Sequence, residues 1–391
     1  MQSLGIYVQV PFCASKCSFC NFSSRVEPAS LFDEYAAALE EEVGRLPGEL
    51  ARCGLRIELL ESPVDSLYFG GGTPPLLGAE RLERIVRALG ARFELQPGGE
   101  FTLEVTPGSA DPEFLARTLR MGVNRLSIGA QTFEDRELRA VGRLHTSAET
   151  RELARRARGV GFANLSLDLV AGLPHQTRAS WQRSLEAVFR VAPQHLSLYL
   201  FEIDTKSRLG REVLQDGTRY HAAEVLAEEF MADAYESGRE ALGREGYLQY
   251  EISNFALPGF ESRHNLKYWQ RAPYVGLGAG AHSFDGVNRW ANQEDAKLYI
   301  AKLAQACSPI AEVRRLSPAE QLEEFFFLGL RQAEGVSLAS VREQWGVELL
   351  SRWQPRIEAL TENGLLTKSG DNFRLAKTAY LVSNEVFREF V

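Results

Sequence analysis

Cys13, Cys17 and Cys20 stand within eight residues, in the stretch Tyr7-Val-Gln-Val-Pro-Phe-Cys-Ala-Ser-Lys-Cys-Ser-Phe-Cys. At this C-x3-C-x2-C spacing, in a loop straight after a short apolar strand, three sulfurs can sit on three irons of a cubane cluster and leave the fourth iron without a protein ligand. An iron left open in this way is a place for chemistry. A structural zinc site asks instead for a fourth Cys or a His at finger-like spacing, and the first histidine in the chain is His145. A disulfide framework suits small secreted domains, whereas this chain spreads five cysteines over 391 residues. Cys53 and Cys307 are isolated and read as ordinary, partly buried thiols.

Further residues have types suited to a polar or flat ligand. In Gly70-Gly71-Gly72-Thr73 the glycines let backbone approach a ligand and offer N–H groups to a carboxylate or phosphate; a tight turn is the alternative reading. No Gly-Lys-Ser/Thr follows, so the run is not a P-loop. Glu104, Gln131 and Asp168 fall in or just beyond apolar strand-like runs, where a polar side chain is costly to bury unless hydrogen-bonded. One such residue could simply pin a loop; several point to a polar ligand. Arg143 adds a fork of donors. Farther on, His264 is suited to ligate heme iron, with Tyr268 and Trp269 as flat apolar surface, although aromatic clusters more often fill cores. His282 is a lower-ranked candidate ligand, with a structural role as the first reading.

These residues need elements to position them. Residues 4–10 read as a strand ended by Pro11. Residues 31–52 read as an amphipathic helix, with Leu39, Val43 and Leu46 on one side and Glu40, Glu41 and Glu42 among the polar positions. Strands follow at 64–69, 101–105, 125–128, 165–170 and 195–200, separated by helical patterns that include 79–93, one from Asp111 with Pro112 in its first turn, and 178–189. Six alternations of strand and helix argue for a parallel sheet with crossover helices. In parallel barrels the chemistry sits at the C-terminal strand ends, which is where the cysteines and most of the polar residues fall. A long helical pattern then covers 218–246.

From residue 317 the character changes to a helix at 320–330 with Phe325, Phe326 and Phe327, helices at 336–345 and 351–363, and a hairpin over 364–375, an order like a winged helix. A DNA-binding regulator is therefore one reading. Residues 310–391 carry ten Lys or Arg against twelve Asp or Glu, a balance of −2, whereas a DNA-reading module carries a basic stripe; a packing or partner surface is expected. The whole chain is at −8 with 45% hydrophobic residues, ample for a core and without broad affinity for nucleic acid or anionic membranes. No signal-peptide pattern opens the sequence and no apolar run approaches eighteen residues, so a cytoplasmic protein is expected, touching membrane proteins only from the periphery.

The cysteine stretch, with Phe19 before the last Cys, resembles the radical S-adenosylmethionine (SAM) superfamily. Residues 7–20, 69–74, 124–133 and 168–174 resemble in order its branch of oxygen-independent coproporphyrinogen dehydrogenases and their relatives. The resemblance implies a partial (β/α)6 barrel, a 4Fe-4S cluster on Cys13, Cys17 and Cys20, and SAM bound by Tyr7, Phe19, Gly71, Gly72, Thr73, Glu104, Gln131, Arg143 and Asp168. The H-N-x-x-Y-W of His264, Asn265, Tyr268 and Trp269 is similar to the motif tied to heme binding in the heme chaperone HemW family of that branch. The α/β chain is then expected as a radical SAM partial barrel over 1–235, a connecting region with the heme motif over 236–310, and a C-terminal α+β winged-helix-like domain over 311–391. The implied function is to hold heme and hand it to an acceptor protein.

The alternative is the coproporphyrinogen III dehydrogenase itself, a radical decarboxylation. Members with that activity carry an N-terminal extension and a Gly-Cys after the third cysteine, where this sequence has six residues before Tyr7 and Asn21-Phe22; both departures weaken that alternative. Gln9, Asn21 and His175 depart from the usual family pattern, at His, Asp and the Gly of Leu-Pro-Gly-Gln-Thr, and touch the surroundings of the cluster rather than its ligands.

Overall fold

The computed structural model describes residues 3–391. Six parallel strands, β1 (Leu4–Val10), β2 (Val64–Gly71), β3 (Leu95–Val105), β4 (Arg125–Gln131), β5 (Asn164–Ala171) and β6 (His195–Leu200), lie side by side in that order. The helices α1 (Leu31–Arg52), α2 (Gly78–Arg92), α3 (Pro112–Arg120), α4 (Asp135–Ala140), α5 (Ser147–Val160) and α6 (Arg178–Val191) connect them. The outward phase of each strand is apolar, as with Leu67 and Phe69, Leu103 and Val105, Leu126 and Ile128, or Leu196 and Leu198, and these side chains are buried in the main core with the helices. The opposite phase is polar: Ser66 and Tyr68, Thr102 and Glu104, Arg125 and Ser127, Ser166 and Asp168, His195 and Ser197. Register aligns that phase, with Tyr68 opposite Thr102, Thr102 opposite Arg125, and Asp168 opposite Ser197. This is the expected partial parallel barrel, with a polar lumen.

α1 is longer than its neighbours and buries Phe32, Tyr35, Leu39, Val43, Leu46 and Leu50. Glu42, expected among the solvent-facing positions, is buried as well. Its carboxylate accepts from the Gly278 N–H at 2.8 Å, the Asn292 amide at 2.5 Å and the Tyr299 hydroxyl, and burial raises its pKa to about 7. The helix expected over 218–246 is also shorter than its pattern. Tyr220 and His221 hold left-handed backbone, so a turn at 219–224 separates α7 (Arg208–Leu214) from α8 (Glu228–Arg244).

The sheet continues beyond the barrel strands. β7 (Leu248–Gln249) and β8 (Asn254–Ala256) add antiparallel strands beside β6; after α9 (Arg263–Trp269), β9 (Tyr274–Leu277) pairs parallel with β1. β10 (His282–Phe284), β11 (Asn288–Asn292), α10 (Ala296–Ala304) and β12 (Ile310–Arg315) complete that edge, so residues 248–315 extend the barrel's own sheet to twelve strands. The C-terminal part comprises α11 (Pro318–Gly329), β13 (Val336–Ser337), α12 (Leu338–Ser351), α13 (Gln354–Glu362), β14 (Leu366–Ser369), β15 (Asn372–Leu375) and α14 (Ser383–Arg388). The helix expected at 336–345 begins as a strand and runs on to Ser351, kinked at Gly346. Of the three consecutive phenylalanines only Phe326 is fully buried, against Trp353, Phe373 and Phe390. Cys53 is partly buried as expected, but Cys307 is exposed, in the turn after α10. Among the described residues no helix is long and apolar enough to cross a membrane.

Candidate functional site

The cysteine loop leaves β1 at Pro11 and lies across the C-terminal mouth of the barrel. Backbone bonds hold it there: the Cys13 N–H donates to Arg25 O at 2.9 Å, and the Gly72 and Thr73 N–H groups donate to Val10 O and Phe12 O at 2.8 and 2.7 Å. The glycine run therefore presses against the loop. A Cβ on Gly72 would meet the Phe12 carbonyl carbon at 2.9 Å and its oxygen closer still. The Gly71 N–H is also taken, by Glu104 at 3.0 Å. Contrary to the expectation of free N–H donors, what Gly71, Gly72 and Thr73 supply is room for a close approach.

Beneath the loop lies a cavity of about 750 Å³, open at the strand ends and reaching down the lumen. Cys13, Cys17, Phe19, Cys20, Gly71, Gly72, Thr73, Glu104, Gln131, Arg143, Asp168 and Asn265 all border it. The three cysteines are free thiols. Arg143 Nη1 stands 3.6 Å from Cys17 Sγ, and the Thr73 hydroxyl stands 4.0 Å from Cys13 Sγ. Among the described residues no three His, Cys, Asp or Glu side chains gather as ligands of one ion. A single tetrahedral ion at about 2.3 Å from each sulfur would draw the thiolates to about 4 Å apart, whereas a cubane places each on a different iron. The cysteine arrangement and donors toward two sulfurs fit the cluster.

The wall carries both signs of charge. Burial pushes Glu104 up to about 7, and the nearby Asp168 carboxyl adds to the rise; burial pushes Asp168 up to about 6 against the pull of Ser197, Arg125 and Arg143. Two carboxyls made reluctant to ionise by the same lumen are stabilised by a cationic ligand group. Arg143, whose Nη2 donates to Gly129 O at 2.7 Å while its buried Nε has no protein partner, offers the complementary donor to a carboxylate. A zwitterion with a positive centre fits this wall. Gln131 reaches it from a left-handed backbone, φ 67°.

The remaining expected residues lie elsewhere. Tyr7 stacks on Tyr68 with ring centres 5.7 Å apart and donates to Gln9 at 2.8 Å, without bordering the cavity. The heme motif forms α9, which packs against the start of the β1–β4 lumen, at the end opposite the cysteines. Glu100 anchors its N-terminus by accepting from the Ser262 hydroxyl and the Arg263 and His264 N–H groups at 3.2, 2.8 and 3.2 Å. His264 is 1% exposed. Its Nδ1 lies 3.0 Å from the Ser66 hydroxyl and its Nε2 2.9 Å from the Tyr268 hydroxyl; burial, then Lys267 and Arg125, lower its pKa to about 3. Trp269 faces away, under the Arg331 guanidinium at 4.4 Å. Of the motif, Asn265 alone reaches the cavity.

The Radical SAM superfamily model matches residues 7–188 and the HemN C-terminal domain model matches residues 316–382. The chain is 35% identical to the heme chaperone HemW of Bacillus subtilis over 389 residues, 98% of both chains. It is 33% identical to the Mycobacterium tuberculosis heme chaperone HemW, across 99% of this chain and 94% of that one. The chain belongs to the heme chaperone HemW family. A bovine protein of similar sequence, the mitochondrial radical S-adenosyl methionine domain-containing protein 1, is 34% identical over 86% of this chain and 75% of its own. In fold, this HemW-family chain superposes on coproporphyrinogen III oxidase HemN from Escherichia coli with a TM-score of 0.85 at 22% identity, covering 100% of this chain and 90% of that one.

Sequence reasoning missed several residues that border the cavity in this HemW-family member. Tyr68, Arg125, His145 and Ser197 all do so. Arg125 is 2% exposed, with one long hydrogen bond to Thr102 at 3.4 Å and an unpartnered Nε. His145 is buried with its Nδ1 unpartnered, and burial beside Arg143 lowers its pKa to about 4. A signal for Arg125 and Ser197 was present, since both sit on the polar phase of an alternating strand.

Proposed function

We propose that this chain binds heme and transfers it to an acceptor protein, holding a 4Fe-4S cluster on Cys13, Cys17 and Cys20 and SAM in the adjoining cavity. What carries the reading is the extent of the match to the Bacillus subtilis heme chaperone, which runs through 98% of both chains and so takes in the cysteine loop, the cavity wall and α9 alike. A cluster held by these three thiolates would leave one iron free to take SAM. The chain's own residues then divide the ligand by charge. Glu104 and Asp168 would serve its positive centre and Arg143 its carboxylate, with Phe19 and Gln131 bordering the same cavity.

Heme enters as cargo, and α9 sets the condition for its capture. The Nε2 of His264 is taken by the Tyr268 hydroxyl of the same helix and its Nδ1 by the Ser66 hydroxyl of β2, so ligation of iron through Nε2 requires the Tyr268 side chain to turn away and the helix to leave Ser66. Lys267, 5% exposed and 2.7 Å from Asp65, opposes that movement. On its outer side α9 meets the C-terminal part, where Gln332 donates to Trp269 O at 3.3 Å. A helix gripped on one side by the lumen and on the other by the C-terminal part links heme capture to the docking of an acceptor there.

The test is anaerobic reconstitution of the cluster, then heme titration of the parent and His264→Ala by absorbance. One heme per chain in the parent, abolished in the variant, is expected. Undiminished binding would sink the ligand assignment. Conversion of coproporphyrinogen III to the divinyl product, with no specific heme binding, would overturn the chaperone reading altogether.

A further inference from the structure

The six histidines sort by surroundings. His145, His195 and His264 are buried, and His282 is exposed on β10. His175 and His221 come from loops 46 residues apart and meet at the surface, half-buried and exposed respectively. His175 Nε2 lies 3.3 Å from His221 Nδ1, with ring centres 4.9 Å apart and planes at 64°.

Without an ion the two rings can share a long hydrogen bond, and the same spacing suits a chelate. N–H donors sit best at about 2.7–3.2 Å and in line with the acceptor. Two imidazoles in line across 3.3 Å would have centres about 5.6 Å apart, taking about 1.15 Å from ring nitrogen to centre. Two imidazoles turned toward one ion at about 2.05 Å would hold their nitrogens 3.3 Å apart at an angle of about 107°, close to tetrahedral, with centres about 5.1 Å apart. The observed 4.9 Å is nearer the second figure. We propose that His175 and His221 form a chelating site for a divalent first-row transition ion, zinc-like in its preference for imidazole, with water in the remaining positions. Among the described residues no third His, Cys, Asp or Glu converges with them.

The backbone holds both rings in place before an ion arrives. His175 and His221 occupy left-handed conformations, φ 67° and 60°, uncommon for residues other than glycine. The His175 N–H donates to Glu224 O at 3.2 Å, which ties one loop to the other. Next to it, buried Gln176 accepts from the Gly172 N–H at 2.7 Å and donates to Val170 O at 3.2 Å.

Two neighbours set the protonation of the pair. Arg136 Nη2 is 3.2 Å from His175 Nδ1, and a guanidinium only donates. Without an ion, therefore, Nδ1 accepts and Nε2 carries the proton. When an ion takes Nε2, the proton moves to Nδ1, where Glu224 Oε2 waits at 3.5 Å, giving the carboxylate–histidine–metal order that orients such ligands. Arg136 opposes binding by its charge; Glu224 favours it.

An ion here also bears on the cysteine loop. The 201–225 segment that carries His221 packs on that loop through the Leu209 N–H to Ser18 O at 2.8 Å, Arg208 to Lys16 O, and Asn21 to Asp204 at 3.2 Å. Bridging His175 to His221 fastens this cover to the end of β5.

Tag-free, full-length protein with its cluster reconstituted, so that the cysteines are engaged, is titrated with Zn2+ by calorimetry and with Co2+ by visible absorption. One Zn2+ per chain is expected, weakened at least tenfold in His175→Gly and in His221→Asn, two replacements that tolerate the left-handed backbone. Glu224→Gln should weaken it about 10- to 100-fold and Arg136→Gln should tighten it. Unchanged thermal melting of the variants without Zn2+ separates lost binding from lost folding. Zn2+ binding that is absent in the parent, or unmoved in both histidine variants, overturns the proposal, as do Co2+ bands of thiolate ligation.

Discussion

Lowering the pH from 7 to 5 should loosen α9 about 25-fold through His264 alone. The imidazole is 1% exposed and its folded pKa is about 3, lowered first by burial and then by Lys267 and Arg125; in the open helix it returns to about 6.5. Because the folded value is depressed, the closed state binds fewer protons than the open one between those limits. Stability is therefore present above pH 6.5 and is lost as pH falls toward 3. Linkage gives a loss of about 0.2 kcal/mol at pH 7 and about 2 kcal/mol at pH 5. The result at pH 5 depends on the unfolded value, since both pKa 3 and pKa 4 leave the closed ring neutral there. Hydrogen exchange of the Arg263–Trp269 amides, corrected for intrinsic rates, measures the opening free energy at each pH. His264→Gln keeps a hydrogen-bonding head but cannot titrate, and should lose most of the dependence whatever its absolute stability. Carboxyls such as Glu104, held up at about 7, act in the opposite sense and cancel in the comparison. Equal pH dependence in parent and variant would refute the reasoning.

Three other perturbations test the barrel mouth. Gly72→Ala puts a methyl against the Phe12 backbone, an overpacking of about 1–3 kcal/mol; a melting temperature lower by several degrees and reduced iron and sulfide content are expected, and full cluster content would contradict the close approach. Its control is Gly90→Ala, a helical site with nothing within 4 Å of the new atom, which should be neutral or stabilising by about 0.5–1 kcal/mol. SAM affinity should rise with pH up to about 7 as Glu104 ionises, and Glu104→Gln should weaken binding and flatten that rise in an equilibrium dialysis series; an unaltered pH profile would remove Glu104 from the ligand's positive centre. Serine at Cys13, Cys17 or Cys20 should abolish the 4Fe-4S absorbance, while serine at Cys53 or Cys307, outside the loop, should leave iron content unchanged.

The sequence by itself determined the features that are local. The C-x3-C-x2-C loop, the Pro11 that ends β1, and the Asp111–Pro112 start of α3 each depend on neighbours a few residues away, and each was legible from spacing and residue type. So was the six-fold strand–helix alternation, because apolar positions facing the helices recur along every strand. Tertiary structure decided what depends on register between strands and on contacts between distant segments. Glu42 reads as one of three exposed glutamates until Gly278, Asn292 and Tyr299 arrive to satisfy it. The helical pattern over 218–246 breaks where Tyr220 and His221 turn left-handed, a turn that the period of the apolar residues does not register. His264 reads as an available ligand, yet Ser66, 198 residues earlier, and Tyr268 occupy its nitrogens. Arg125 and His145 became cavity residues, and His175 met His221, for the same reason: a lumen and a surface cleft are made by the curling of a sheet and the packing of its loops, and both are properties of the whole chain.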